Sequence, residues 1–581
     1  MKNRKHAQTL TWLSQVTGKK KIYIFYLVLL QALLGTMSVF SAILFRNLID
    51  EAVAKEKAGF FHAVIWAAVL MAGRMMIGSL VRFLYEWSRA VLENQFKQRL
   101  FSCLLHKEYA AVTAIHSGEW MNRLTSDTAV VTNGIVDIVP SLTGMLTRMV
   151  GALIAIFMLE PMFVYILIPG GGLILLLTYG FRKVLKRLHK QIQETDGAVR
   201  VFMQERLGNL MIVRTFAMEN ETKEAASAKM QQHKAARMRR NNLSNLCNIG
   251  FGVAANGIYL FGAAYCGYGI LKGTISYGTM TAVLQLVGQV QSPFASLTGF
   301  LPMYYAMIAS AERLMEAENY AEDCEEKPVK EQDILEFYQK GLKSIGLRNA
   351  AFTYRSPTHK DASEEDVSVP LVLKGINLEI RKGDYVAFTG HSGCGKSTIL
   401  KLLMCLYPLD SGKRYIERNG VSDTGMTEQP LTAGWRGLFA YVPQGNQLMS
   451  GTIREIVAFG DAERMQQERQ LMRALRVACA DEFVSALKDG LDTVLGERGN
   501  GLSEGQMQRI AIARAVFSEH PILMLDESTS ALDEVTEQEL LANLKAMTDK
   551  TVLIVTHRPA VLRICDKQII MTKEGVSVVA P

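Results

Sequence analysis

Residues Gly390, His391, Ser392, Gly393, Cys394, Gly395, Lys396, Ser397 and Thr398 read GHSGCGKST, between an apolar run at 385–389 and a second that begins Thr398-Ile399-Leu400. This is the pattern of a phosphate cradle, or P-loop, between a strand and a helix. Glycines let the backbone curl so that successive N–H groups point at phosphate oxygens. The start of the following helix adds partial positive charge, and a lysine and a hydroxyl complete the site. The reading assigns Lys396 to the β- and γ-phosphates and Ser397 to Mg2+. Downstream, Ile522-Leu523-Met524-Leu525-Asp526-Glu527 is an apolar strand that ends in two carboxylates. In that arrangement Asp526 holds Mg2+ through water and Glu527 polarises a water for in-line attack on a γ-phosphate. The combined chemistry is hydrolysis of a nucleoside triphosphate.

The rest of the chain must position these groups, and its composition is uneven. Of 581 residues, 49% are hydrophobic and 21% charged, and the long apolar runs all lie before about residue 310. A membrane half is therefore followed by a soluble half. The net charge of +8 comes from basic residues that flank apolar spans instead of forming one stripe, which argues against a nucleic-acid partner. The eight cysteines show no CxxC pairs, so neither a disulfide framework nor a zinc site is expected.

Residues 1–21 carry six Lys or Arg and no acid, which places the N-terminus in the cytoplasm. No small-residue cleavage site follows the first apolar run, so it reads as an uncleaved span. Spans are expected at 22–45, 60–83, 135–159, 161–177, 246–271 and 280–307, with Glu160-Pro161 and Lys272-Gly273-Thr274 as tight external turns. The two intervening cytoplasmic loops are far longer than a connection needs, and their helical rhythm predicts helices that project beyond the bilayer. The domains read as a segment at 1–21, a transmembrane domain at 22–315, a linker at 316–343 and a nucleotide-binding domain at 344–581. The acidic insert at 360–366 reads as a solvated hairpin tip. Arg74 and Arg148 lie well inside apolar sequence, and no Asp or Glu lies deep within any span to pair with them. Either they line a pathway for a substrate carrying negative charge, or they pair with carbonyls or with Gln285 and Gln289.

With these motifs in place, the soluble half resembles the nucleotide-binding domain of an ATP-binding cassette (ABC) transporter. Tyr354 in AFTYR resembles the aromatic residue that stacks on adenine, and Gln444 in YVPQ the glutamine that contacts Mg2+ and senses the membrane domain. Leu502-Ser503-Glu504-Gly505-Gln506 is similar to the signature motif, Ser530-Ala531-Leu532-Asp533 to the D-loop, and His557 in VTHRP to the switch histidine. The resemblance implies ATP and Mg2+, with Ser503, Gly505, Gln506 and Asp533 serving ATP held by the opposite subunit's P-loop, and with Glu527, His557 and Lys396 as the catalytic set. Glu504 stands where the family's commonest pattern has Gly. It either weakens one site or points away, which leaves open a homodimer or a heterodimer.

The membrane half resembles the export-type fold, with residues 118–127 and 205–216 similar to its coupling loops. The resemblance thus implies an all-α six-helix transmembrane domain followed by an α/β P-loop NTPase domain. It also implies a half-transporter in the plasma membrane with both termini cytoplasmic, which exports a peptide, lipid or amphipathic drug. The alternative is a membrane-bound sensor that uses ATP as a conformational signal without transport.

Overall fold

The computed structural model describes residues 2–323, 329–354, 372–420, 427–445, 448–496, 499, 501–572 and 576–579. The acidic insert at 360–366 lies outside the described residues. Two compact units emerge: Met1–Leu100 with Met121–Glu316, and Phe101–Trp120 with Ala317–Pro581.

The helices of the chain's first half are α1 (Lys2–Thr17), α2 (Lys21–Val53), α3 (Lys57–His106), α4 (Tyr109–Thr113), α5 (Ser117–Asn122), α6 (Thr128–Leu159), α7 (Pro161–Gly208), α8 (Leu210–Thr215), α9 (Glu219–Leu271) and α10 (Tyr277–Glu318). A π-helical turn at Arg123–Asp127 leads into α6. Pro161 opens α7, where its missing N–H costs nothing, and Glu160 before it is extended, so the expected tight turn falls at the α6–α7 corner.

The six expected spans fall on α2, α3, α6, α7, α9 and α10. Among the described residues, four stretches are long and apolar enough to cross a membrane: His6–Val53, Lys57–His106, Ser117–Leu159 and Glu219–Leu271. Four of the six expected spans meet this criterion. In α10 Gln285, Gln289, Gln291 and Ser292 dilute the apolar run. The expected spans also end too early. At 50 residues, α3 is about 75 Å long, more than twice the hydrocarbon thickness of about 30 Å. What reads as the start of a loop at residue 84 is its continuation.

Small residues let α2 and α6 approach closely. A Cβ on Gly35 of α2 would lie 2.9 Å from Gly144 O of α6, and one on Gly144 would lie 3.1 Å from Gln31 O. Without a hydrophobic force between helices in lipid, such backbone contact is what van der Waals packing rewards.

The second unit holds three sheets. β1 (Leu342–Phe352), β2 (Leu373–Arg381), β4 (Ser411–Arg418) and β5 (Glu428–Pro430) form an antiparallel sheet in the order β2-β1-β4-β5. The central sheet runs β12-β11-β3-β10-β9-β6, built from β3 (Tyr385–Gly390), β6 (Phe439–Val442), β9 (Ile522–Asp526), β10 (Thr551–Val555), β11 (Lys567–Met571) and β12 (Val576–Val579). All its pairings are parallel except β11 with β12. The short strands β7 (Gly451–Thr452) and β8 (Val494–Leu495) pair separately. The helices are α11 (Glu331–Glu336), α12 (Lys396–Leu403), α13 (Ile453–Ala458), α14 (Glu468–Val477), α15 (Asp481–Ala486), α16 (Glu504–Phe517), α17 (Glu534–Lys545) and α18 (Pro559–Leu562).

Strand alternation divides the core between the two faces of the central sheet. Tyr385, Ala387, Leu523, Leu525, Val552 and Ile554 join one apolar cluster with α14, α16 and α17. Val386, Phe388, Ile522, Met524, Leu553 and Val555 join the other, with α12 and the antiparallel sheet. Covered on both sides, β9 and β10 read as unbroken apolar runs, which parallel strands require.

Candidate active site

Four loops leave the carboxyl ends of adjacent parallel strands: Gln444 after β6, Glu527 after β9, His557 after β10 and the P-loop after β3. Val555 pairs with both Phe388 and Asp526, so these strand ends stand level. In an open α/β sheet the crevice beyond the strand ends is where ligands bind.

Gly393 and Gly395 have φ of 81° and 96°, which bring the loop back onto the first turn of α12. Gly390 is fixed by contact as well, because a Cβ there would lie 2.3 Å from Met571 O. His391 and Ser392 are exposed, Cys394 is half-buried against the apolar cluster around α12, and Gly395 is buried. Lys396 is buried and its Nζ donates to Gly390 O at 2.9 Å and His391 O at 3.0 Å. Ser397 Oγ donates to Asp526 Oδ1 at 2.8 Å, and Tyr441 OH donates to Asp526 Oδ2 at 3.0 Å. Burial and the Asp526 carboxylate push the Tyr441 phenol far above its ordinary value, so it remains a donor.

Glu527 has φ of 50°, a left-handed conformation uncommon for a residue with a side chain. Gln444 Nε2 donates to Glu527 Oε2 at 2.7 Å, and His557 Nε2 stands 3.7 Å from Glu527 Oε1. At the other end of the P-loop, Tyr354 OH is 3.0 Å from Thr398 Oγ1. The Tyr354 ring meets Tyr407 edge-on at 5.2 Å, and Tyr407 meets Tyr109 of α4 at 5.7 Å.

Ser503, Gly505, Gln506 and Asp533 are not part of this cluster. Among the described residues none of them hydrogen-bonds or ion-pairs with a P-loop side chain. Ser503 caps α16 in a reciprocal box, its Oγ accepting from Gln506 N at 3.3 Å and its N–H donating to Gln506 Oε1 at 2.9 Å. Glu504 is the exposed first residue of α16, where a helix N-terminus favours negative charge. Asp533 caps α17 by accepting from Thr536 N at 3.0 Å, a bond that holds its carboxyl below the usual range. Gly505 lies against the D-loop, since a Cβ there would be 2.8 Å from Ala531 O.

Three residues that sequence reasoning missed hold this machinery. Tyr441 is the first. Gln508, buried on α16, donates to Ser530 Oγ at 3.2 Å and accepts from Ala531 N at 3.1 Å. Arg558 donates to Ser530 O at 2.7 Å, Leu532 O at 3.0 Å and the buried Glu537 at 2.9 Å. The D-loop is thus gripped by the signature helix on one side and by the neighbour of His557 on the other. Membership of YVPQ and VTHRP was the available signal for Tyr441 and Arg558; Gln508 had none beyond lying two residues past the signature.

The hydroxyl of Ser397 and the carboxylate of Asp526 converge as hard oxygen donors, a set that suits Mg2+. In the membrane half, Arg74 is exposed and Arg148 half-buried with an unpartnered Nε. Gln289 donates instead to Ser38 O at 3.0 Å, and neither Gln285 nor Gln289 bonds Arg148.

A parallel sheet with a P-loop, a strand-end acid pair and a histidine beside that pair defines a P-loop ATPase domain, here attached to a helical membrane domain. Residues 24–294 match the family model for the ABC transporter transmembrane region, and residues 373–530 that for the ABC transporter. A mitochondrial potassium channel ATP-binding subunit of Mus musculus is 30% identical over 87% of this chain and 67% of its own length. The chain therefore belongs to the ABC transporter family, and its second half is that family's ATP-hydrolysing domain. An ATP-dependent lipid A-core flippase of Syntrophus aciditrophicus is 27% identical over 84% of this chain and 78% of its own length. The ABC transporter B family member 1 of Dictyostelium discoideum is 28% identical over 83% of this chain, which spans only 51% of that relative. A bacterial Atm1-family ABC exporter solved with ATP bound shares the fold, with a TM-score of 0.78 and 20% identity over 96% of this chain and 94% of the other.

Proposed function

We propose that the chain is an export half-transporter that works as a dimer, with six membrane crossings and both termini on the cytoplasmic side of the cell membrane. The observation that carries the reading is the split of the site. Lys396, Ser397, Asp526, Glu527, Gln444 and His557 gather at one row of strand ends, while Ser503 and Gly505 stand apart on α16 with no phosphate-binding partner of their own. Each half-site then needs a second subunit, and two ATP molecules lie between P-loop and signature in both directions. The exposed Leu207, Met211, Ile212 and Phe216 around α8 support a partner for the second coupling loop as well.

In this reading Lys396 leaves the carbonyls of Gly390 and His391 for the β- and γ-phosphates, and the Thr398–Tyr354 end receives the adenine. Ser397, Asp526 and Gln444 hold Mg2+, which when bound neutralises phosphate charge. Glu527 orients the attacking water, and His557 steadies Glu527 and the γ-phosphate. The Ser503 hydroxyl and the Gly505 N–H meet the γ-phosphate on the partner subunit, at the N-terminus of α16. Asp533 and Gln506 line the same joint.

The substrate pathway includes Arg74 and Arg148. Among the described residues Arg148 Nε has no partner, which favours an anionic ligand over an internal pair. The name of the Syntrophus relative, a lipid A-core flippase, supports an amphiphile with negative charge as cargo. The test has two arms. Glu527→Gln is expected to keep ATP binding and to lower turnover by about 100-fold or more, and near-normal hydrolysis refutes the assigned role. ATP-dependent uptake of labelled anionic amphiphiles into inside-out vesicles tests transport itself, and hydrolysis without uptake of any tested lipid, peptide or drug favours the sensor.

A further inference from the structure

Residues 321–323, just past the end of α10, are joined to two other parts of the second unit. On one side they meet the chain that leaves α3. Glu108 N donates to Ala321 O at 3.0 Å and Asp323 N donates to His106 O at 2.9 Å, forming an antiparallel bridge of Lys107 with Glu322. Lys107, whose side chain is 7% exposed, reaches Glu322 Oε1 at 2.7 Å. Trp120 and Tyr320 extend the seam with an edge-on contact at 6.3 Å.

On the other side Asp323 accepts from both terminal nitrogens of Arg436, with Nη2 at 2.9 Å from Oδ1. The same guanidinium donates from Nε to Met404 O at 2.8 Å and from Nη2 to Cys405 O at 2.6 Å. Those carbonyls stand just past α12, the helix whose amino end is the P-loop. Arg436 therefore closes the carboxyl end of α12, where cationic donors are favoured, and fastens it to the linker. A flexible tether between two units has no use for a fixed backbone bridge, a buried lysine and a bidentate pair at three consecutive residues.

We propose that 321–323 with Arg436 form a clasp that passes movement of the P-loop helix directly to the ends of α3 and α10 in the same chain, in addition to the two coupling loops. Asp323 and Arg436 are positioning residues in it; neither touches the phosphate cradle. The proposal rests on the reading of the chain as an ATP-driven transporter.

The test uses the full-length chain in phosphatidylcholine–phosphatidylglycerol nanodiscs. Hydrogen–deuterium exchange is followed in the turns at 54–56 and 272–276, with ATP and vanadate against no nucleotide, alongside steady-state ATP hydrolysis. Asp323→Asn is expected to keep kcat within about twofold of the parent while the nucleotide-dependent change in exchange falls by at least about half. A structural role alone lowers kcat and thermal stability together and does not produce that split. If Asp323→Asn fails to fold, Glu322→Gln, at a half-exposed position, is read in the same way. A full exchange response in the folded variant overturns the clasp. No nucleotide response in the parent protein overturns the transport reading and the clasp with it, whereas a parental response that the variant retains overturns the clasp alone.

Discussion

Substituting Gly505 by alanine separates two effects that act in opposite directions. Gly505 is the second residue of α16, and an added Cβ would lie 2.8 Å from Ala531 O, a backbone atom that no rotamer change can move aside. Restoring ordinary van der Waals contact requires the signature helix and the D-loop to part by about 0.6 Å. Overpacking of this kind costs about 1–3 kcal/mol, while alanine favours a helix over glycine by about 1 kcal/mol. The net change in stability is therefore small, within about 2 kcal/mol of the parent. Turnover does not share in the cancellation. Residues 530–532 are held to α16 by Gln508 and to the loop after β10 by Arg558, so in the proposed dimer a shifted seam moves Ser503 relative to the phosphate it would serve. Displacements of about 1 Å in a reacting assembly cost about 100-fold, and a fall in kcat of about 10- to 100-fold is expected here, with KM for ATP little changed because the chain's own P-loop is untouched. Steady-state hydrolysis and thermal melting of Gly505→Ala in nanodiscs check this. A raised melting temperature with kcat within about twofold of the parent would mean that helix propensity decides the outcome and that the 505–531 contact does not position the signature.

Gln508→Ala removes a buried side chain that both donates to and accepts from the D-loop; a loss of about 1–3 kcal/mol in stability is expected, and an unchanged denaturation midpoint counts against the clamp. Burial pushes the Cys479 thiol up to about 11 and the Cys565 thiol up to about 12. Because only the thiolate reacts, both should label slowly with maleimide at pH 8 in the folded protein. Inhibition by maleimide should then trace to Cys394 inside the P-loop and be prevented by ATP, and inhibition that persists in Cys394→Ala would point to another cysteine. Replacing Arg74 and Arg148 together by alanine should reduce uptake of an anionic amphiphile by about tenfold or more while basal hydrolysis stays near the parent value, and equal loss for neutral and cationic compounds would sink the anionic pathway.

The residues that were legible in the sequence are those whose chemistry is packed into a short stretch. The P-loop shows its glycines, lysine and hydroxyls within nine residues, and Asp526-Glu527 closes a strand whose apolar run announces burial on both faces. Tyr441, Gln508, Arg558 and Arg436 were not legible because each acts across a long separation. Tyr441 meets Asp526 from 85 residues away, and Arg436 meets Asp323 from 113. Long helices blur a different boundary. The polar rhythm that begins at residue 84 reads as a loop because charge returns there, yet α3 runs on to His106 since nothing in that stretch breaks a helix. For the same reason residues 101–120 belong with the nucleotide-binding unit, an assignment that hydropathy cannot make.

The hydrogen bonds of the resting site also bear on how readily it can work. Lys396 is satisfied by two loop carbonyls, Ser397 and Tyr441 by Asp526, Gln444 by Glu527, and Ser503 by Gln506. A buried lysine or carboxylate left without partners would cost several kcal/mol and would drag the loop out of shape. On the proposed reading each polar group would instead exchange one partner for another when phosphate arrives, so the net cost of opening the site would be a difference between hydrogen bonds of similar strength. Glu527 is the departure from that economy. It sits at φ 50° with its carboxylate beside Gln444 and His557, and local strain of this sort persists only where surrounding structure enforces it. The enforcement is visible in the Glu527 N to Val555 O bond of 3.1 Å and the Ser530 N to Glu527 O bond of 3.3 Å. Together they hold the Glu527 backbone in that conformation at the strand ends, with its carboxylate beside Gln444 and His557.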